Sequence, residues 1–207
     1  MKEELKKKII IYGCGGHARS IINILLKNGC TNQVILVDEN AADNEEILGC
    51  KVFKNYILDE NDTYIVGIGD NLKRKKIFCE LEKFSNMGFS VIASTAEIGI
   101  ESIWGMGTVI ADKVHVGPCC EIGNNTIINT GSIIEHETVI GNHTHIAVNA
   151  TICGRCTIGN NVFCGAGSTV IDKIRICDNV TVGAGSVVIS DIIEPGTYVG
   201  VPAKKIG

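Results

Sequence analysis

Five histidines are the side chains of this sequence best suited to moving a proton near neutral pH: His17, His115, His136, His143 and His145. His136 is followed directly by Glu137. A carboxylate beside an imidazole can fix its tautomer and raise its basicity, and such a base takes the proton of an attacking amine or hydroxyl. A second constellation lies near the N-terminus. Gly13-x-Gly15-x-x-Ala18 fits a loose dinucleotide fingerprint, and Asp38 lies twenty residues past Ala18. Glycines let backbone approach a phosphate, a helix start favours its charge, and the acid can accept from a ribose or base. Without a ligand the same glycines would simply make a tight turn. Cys153-Gly154-Arg155-Cys156 has the spacing of half a zinc ribbon. No second pair accompanies it at ribbon distance, so it is read as structural rather than as a metal site.

The His-Glu pair sits in a segment with one dominant rhythm. From Ile98 to Val188 every sixth residue is apolar, over sixteen consecutive positions with no slip of register. The next residue is often Gly, and the residue four places on is usually small or β-branched. Neither a helix period nor strand alternation gives this pattern. A period of six is the signature of a parallel β-helix, in which three hexapeptides make one triangular coil. The stepping residue fills the axis, the residue four later packs beside it, and the two positions between form the corner. Coils stack at about 4.8 Å, so each needs its neighbours. A β-sandwich would instead show turns every 8–12 residues or so and no sixfold register. His136 and Glu137 fall at plus two and plus three after Ile134, together at one outward corner. His145, half a coil later, stands on a strand facing away from that corner. One prism cannot easily bring both to one substrate; a neighbouring copy could, so an oligomer is expected. Cys120, Cys156 and Cys164 fall where the repeat wants small residues, a structural place in the core.

Ahead of the repeat, strands alternate with helices. Strands are expected at 7–12, Val34–Val37 and Tyr64–Ile68, with a further short strand from Phe89 to Ala93 leading into the repeat. Helices are expected from about Ala18 to Leu26 and from Leu72 to Asn86. This pattern means a parallel sheet in a small Rossmann-like unit. The fold class is therefore an α/β N-terminal Rossmann-like domain (residues 1–93) followed by an all-β parallel β-helix (residues 94–207). The first unit has too few strands for a two-halved dinucleotide site, and a single nucleotide, such as that of a nucleotide-activated sugar, fits better. At 207 residues and 45% apolar content the chain can hold both cores. A net charge of −4 argues against a nucleic-acid partner. Lys6-Lys7-Lys8 reads as a solvated lead-in to a strand. The apolar run Ile9 to Tyr12 is too short for a signal-peptide core or a membrane span. With ten cysteines and no such segment, a reducing, cytoplasmic compartment is expected.

The loop Tyr12-Gly-Cys-Gly-Gly-His17, the stretches Val37-Asp38-Glu39 and Gly67-Ile68-Gly69-Asp70-Asn71, and the segment Asn129 to Glu137 resemble, over essentially the whole chain, one branch of the hexapeptide-repeat acyltransferases. That branch includes the sialic acid O-acetyltransferases and the N-acetyltransferases of nucleotide-linked 4-amino-sugars. The resemblance implies a left-handed coil, a homotrimer, acetyl-CoA as co-substrate and no metal. It implies that Gly15, Gly16, His17, Asp38, Glu39 and Gly69 contact a sugar nucleotide. His136 would be the general base with Glu137 as its support, and Asn129 would lie near the reacting groups. His145, Gly154, Ala166 and Ala184 would line the acetyl-CoA groove, and the tail from Gly196 would close the coil, bringing Lys204 and Lys205 toward the CoA phosphates. One departure concerns the start of the repeat, where the family usually has a His and this chain reads Ile92-Ala93-Ser94-Thr95-Ala96. The expected acceptor is the 4-amino group of a UDP- or GDP-linked amino-deoxysugar for a surface glycan or glycoprotein, the alternative being a hydroxyl of a sialic-acid-type sugar. Two other readings are weighed. γ-class carbonic anhydrases share the coil, but their His-x4-His pair has no counterpart in the spacings here. A non-enzymatic nucleotide-binding module would have no use for His136-Glu137.

Overall fold

The computed structural model describes residues 8–30, 33–83 and 88–206. The N-terminal unit opens with β1 (Lys8–Tyr12), whose Ile9, Ile10 and Ile11 are buried, followed by α1 (Gly16–Lys27). Then come β2 (Gln33–Val37), β3 (Glu46–Ile47), β4 (Cys50–Phe53), β5 (Thr63–Val66) and α2 (Asn71–Leu81). The strands form one sheet in the order β3-β4-β2-β1-β5. All neighbours are parallel except β3 and β4, an antiparallel hairpin that the sequence reading did not anticipate. Its two-residue turn, Leu48-Gly49, has positive φ at both positions, and a leucine there gives no turn signal. Lys7, expected at the start of β1, and Asn86, expected at the end of α2, lie outside the described residues. Asp70 caps α2 by accepting from the Lys73 amide at 2.8 Å, whereas α1 starts at Gly15 with no side-chain cap.

The expected strand Phe89–Ala93 is shorter and belongs to the coil. Val91–Ile92 pairs with Val109–Ile110 one coil on, while Gly88 still bridges to Tyr64 of β5. From there the chain winds as a three-sided prism of short parallel strands in which residue i pairs with residue i+18, as in Ile134 with Ile152. The first face contains Val91–Ile92, Val109–Ile110, Ile127–Ile128, His145–Ile146, Phe163–Cys164 and Val180–Val182. The second face runs from Glu97–Ile98 to Val187–Val188, and the third from Ile103–Trp104 to Arg175–Ile176. Gly196–Val199 adds in parallel to the first face, and Lys204–Ile206 folds back on it antiparallel.

Fourteen of the sixteen ladder residues, from Ile110 to Val188, are buried in the axis. The other two are not fully enclosed: Ile98 is half-buried and Trp104 is 39% exposed. They belong to the first strands of their faces, with no coil beneath to cover them. The residue four places after each step does more than fill space. Ser102, Thr108, Thr126, Thr138 and Thr144 each donate a hydroxyl hydrogen bond to the carbonyl fifteen residues on, at 2.7–3.1 Å. Cys120 and Cys156 make the same link through Sγ, to Glu135 O and Ile171 O. Their burial answers the expectation that they are core residues.

The corners have their own rule. Every sixth residue from Glu101 to Gly185 has φ between 53° and 69°. Asn and Gly adopt this left-handed conformation most readily, and seven of those fifteen places hold neither nor aspartate, Glu137, His143 and Arg155 among them. The apolar cluster on the α1 side of the N-terminal sheet is continuous with the coil axis, so the two units share a core.

Replacing Ile140, 1% exposed in mid-axis, with alanine should lower the unfolding free energy by about 2–5 kcal/mol. Thr157→Ala, on the exposed side of the adjoining strand, should stay within about 0.5 kcal/mol. Thermal melts at one protein concentration would measure both, and equal losses would contradict the axis assignment.

Candidate active site

His136 and Glu137 are placed by the corner between the second and third faces. Beneath them the chain approaches so closely that a Cβ on Gly117 would lie 2.6 Å from His136 N. The left-handed backbone at Glu137 turns its carboxylate back toward the imidazole, where Oε2 stands 2.9 Å from His136 Nδ1. A carboxylate accepts, so Nδ1 carries the hydrogen and Nε2 keeps its lone pair. The imidazole is 39% exposed. Its Nε2 lies over Gly154, one coil on, where a Cβ would come within 2.7 Å of it. Glu137 Oε2 also accepts from Arg155 Nε at 3.0 Å. The bond from His136 and the charge of Arg155 hold the Glu137 carboxyl below the usual range. Arg155 was missed in the sequence, though its place one whole coil after Glu137 was a usable signal.

A second cluster forms where the N-terminal unit meets the first face. The strand order reverses direction at β1 and β5, and ligands of open α/β sheets bind outside the carboxyl ends at such a switch point. The loops after these strands meet there: Gly13 N donates to Val37 O, and Gly67 N to Tyr12 O. A Cβ added at Gly15, Gly16 or Gly69 would meet no other atom of the chain within 4 Å, so backbone faces open space at all three. Asp38 braces this loop. Its Oδ2 accepts from the Cys14 amide and thiol, and its Oδ1 from Asn40. Burial works against the charge, but these bonds outweigh it and keep the carboxyl low. Glu39 beside it is exposed.

His145 projects from the first face into this junction. It is buried, with Nδ1 3.2 Å from Gly69 O and Nε2 3.2 Å from Asn129 Nδ2. The Asn129 Oδ1 already accepts from the Thr130 amide, which leaves Nδ2 as donor to His145 Nε2 and places the His145 hydrogen on Nδ1. Burial and the nearby Arg74 push His145 down to about 4. His17, in the first turn of α1, is pushed down to about 3 by burial, His145 and Arg74, and its buried Nε2 has no hydrogen-bond partner among the described residues. Both imidazoles are neutral at pH 7. A cleft of about 670 Å³ opens beside His145, lined also by Gly69, Asp70, Asn71 and Phe163 among others. His143 is engaged with Asn125 and the Phe78 ring, and His115 stands beside Glu97 on the second face.

Ala166 and Ala184 lie exposed on a third line, the corner between the first and second faces. Beside them Gly167 and Gly185 have open space where a side chain would be, so this edge is flat and poor in side chains. The structure thus brings Gly15, Gly16, His17, Gly69, Asn129 and His145 together against the middle of the first face, and His136, Glu137 and Gly154 to the opposite corner. They do not meet within one chain. Lys205 is paired with Glu194 at 2.9 Å, and Lys204 is exposed on the final strand. Among the described residues no group of three His, Cys, Asp or Glu is placed to hold a metal ion, and no helix is long and apolar enough to cross a membrane.

The PglD N-terminal domain family matches residues 8–81. Over the whole chain the fold is similar to that of PerB from Caulobacter crescentus in complex with CoA and GDP-perosamine, at 29% identity and a TM-score of 0.86, covering 97% of each chain. A variant of perosamine N-acetyltransferase from the same organism matches at 27% identity, with the same TM-score and coverage. The acetyltransferase domain of PglB from Neisseria gonorrhoeae, at 24% identity, shares the fold with a TM-score of 0.91 over 97% of this chain and 100% of that one. With a PglD-type N-terminal domain leading into a parallel coil of six-residue repeats, the chain has the fold of these acetyltransferases over almost its whole length.

Proposed function

We propose that the protein transfers an acetyl group from acetyl-CoA to the 4-amino group of a nucleotide-linked amino-deoxysugar, in the cytoplasm, for a surface glycan or glycoprotein. The observation that carries this is the exposed His136 imidazole, with Nδ1 held by Glu137 and Nε2 facing out over Gly154. Two relatives support it: both are described with CoA and GDP-perosamine bound, and one is named as an N-acetyltransferase.

In this reading residues 1–93 hold the acceptor and residues 94–207 carry the chemistry. Gly15, Gly16 and Gly69 offer backbone to the sugar nucleotide, the uncapped start of α1 favours its phosphates, and His17, Asp38 and Glu39 complete the pocket. Acetyl-CoA supplies the acetyl thioester, held along Ala166 and Ala184 with Gly154, Asn129 and His145 near its reacting end. His136 Nε2 takes the proton of the attacking amine as its nitrogen joins the acetyl carbon, then gives that proton to the sulfur that leaves. Glu137 keeps the imidazole in the tautomer that does this and stabilises the imidazolium in between. Because His136 and His145 stand on opposite sides of one prism, the working unit is an oligomer in which each cleft is shared by two copies, and the resemblance to the hexapeptide-repeat acyltransferases makes it a homotrimer.

Release of CoA, followed across UDP- and GDP-linked amino-sugars and free sialic acid, should be fastest with a nucleotide-linked amine; turnover of sialic acid alone would shift the reading to O-acetylation. His136→Ala should lower kcat by a factor of about 10² or more. Near-full activity in that variant would remove the base assignment. Glu137→Gln retains an oxygen that can accept from Nδ1 but loses the charge, and should cost about tenfold in kcat with little change in KM. Sedimentation should give a trimer, and a fully active monomer would overturn the shared cleft.

A further inference from the structure

Arg74 is 1% exposed and carries the most elaborate set of bonds at the junction of the two units. Its Nη1 donates to Ile68 O at 3.2 Å and Gly69 O at 3.0 Å, in the loop that precedes its own helix. Its Nη2 donates to Asn71 Oδ1 at 2.8 Å, to His143 O at 2.8 Å and to Thr144 O at 3.3 Å, and its Nε to Asn125 O at 3.0 Å. Asn71 in turn donates to Val162 O at 3.0 Å. One planar group therefore ties the Gly69 loop and the start of α2 to two successive coils of the prism. All six of these acceptors are neutral. A buried cation held only by carbonyls and an amide is expensive, and tight bonding of this kind orders whatever supplies the oxygens.

The Gly69 carbonyl is the point of transmission. It accepts from Arg74 Nη1 and also faces His145 Nδ1. Together with the Asn129 amide on Nε2, its position sets which His145 nitrogen bears the hydrogen and where the ring points, while the Gly69 backbone borders the cleft. We propose that Arg74 is a positioning residue for the acceptor: by clamping the Ile68–Gly69 loop onto the coil it fixes the floor of the cleft and holds His145 as the Nδ1–H tautomer. This rests on the reading above that Gly69 and His145 border the bound substrates. Lysine cannot substitute, because an ammonium offers three donors from one point and cannot span loop, helix and coil.

The test uses the full-length protein and Arg74→Lys, with circular dichroism to establish a temperature at which both forms are folded. Long-range 15N–1H spectra of the histidine rings should show His145 as the Nδ1–H form in the parent protein and a shifted or mixed tautomer in the variant. In the same samples KM for the nucleotide-linked amino-sugar should rise roughly tenfold, with kcat changed less. A variant that only loses melting temperature, with tautomer and KM unchanged, would overturn the proposal and leave Arg74 as a structural tie. Should Arg74→Lys fail to fold, Asn71→Ala removes the side-chain acceptor of the guanidinium; a threefold or so rise in KM is then expected, and an unchanged KM would overturn the proposal. If no amino-sugar is turned over by the parent protein, the acetyl-transfer reading fails while the tautomer measurement still decides the role of Arg74.

Discussion

Each coil must close in eighteen residues, and everything else in the molecule depends on that closure. Three strands of about two residues each leave little chain for turning, so the direction change is concentrated in one left-handed residue per six. Where Asn or Gly stands there the conformation is easy; where Glu137, His143 or Arg155 stands, the stacked coils supply the compensation. Backbone pairing above and below, the apolar axis and the hydroxyl links to the next coil all enforce the same repeat. The His136-Glu137 pair inherits its geometry from this closure: the left-handed turn that brings the Glu137 carboxylate back to the His136 ring is the turn that keeps the prism triangular.

The two clusters handle charge in opposite ways. At the exposed corner Glu137 is shared between His136 and Arg155, and solvent is available to all three. At the junction the imidazoles of His17 and His145 are kept neutral by burial and by a nearby guanidinium. The imidazole proposed as the base thus sits on the wet edge, while the rings beside the Gly69 loop are buried and uncharged. The α1 start adds an uncapped set of amides in the same region, a favourable setting for an anionic ligand.

Much of this was legible in the sequence because the repeat is read residue by residue. A strict period of six places His136 and Glu137 at one corner and His145 on a strand across the prism, and the observed faces agree. The open end was not legible: Ile98 and Trp104 match the pattern as well as any step, but burial of a rung depends on the coil beneath it, which periodicity does not report. The β3–β4 hairpin was hidden because its turn uses Leu48 in a conformation that leucine rarely adopts. Arg74 was hidden for another reason. It stands in a run of basic residues, Lys73 to Lys76, that reads as a solvated helix face, and only the packing of α2 against the coil shows that one of them is enclosed. Asp38 was read as a ligand acceptor, and the fold also employs it to brace the Cys14 loop.

The i to i+18 pairing has an evolutionary corollary. Loss or gain of a full coil would lengthen or shorten the column while leaving every downstream side chain above its former neighbour. An excision of six residues is more deceptive, since the apolar axis would stay in phase, yet each later side chain would rotate by one face. Removed from between Gly154 and Ala166, such a hexapeptide would carry Ala166 and Ala184 away from the edge they share with Thr130. A single indel of this kind can therefore separate the two halves of the site while leaving the apolar ladder in phase.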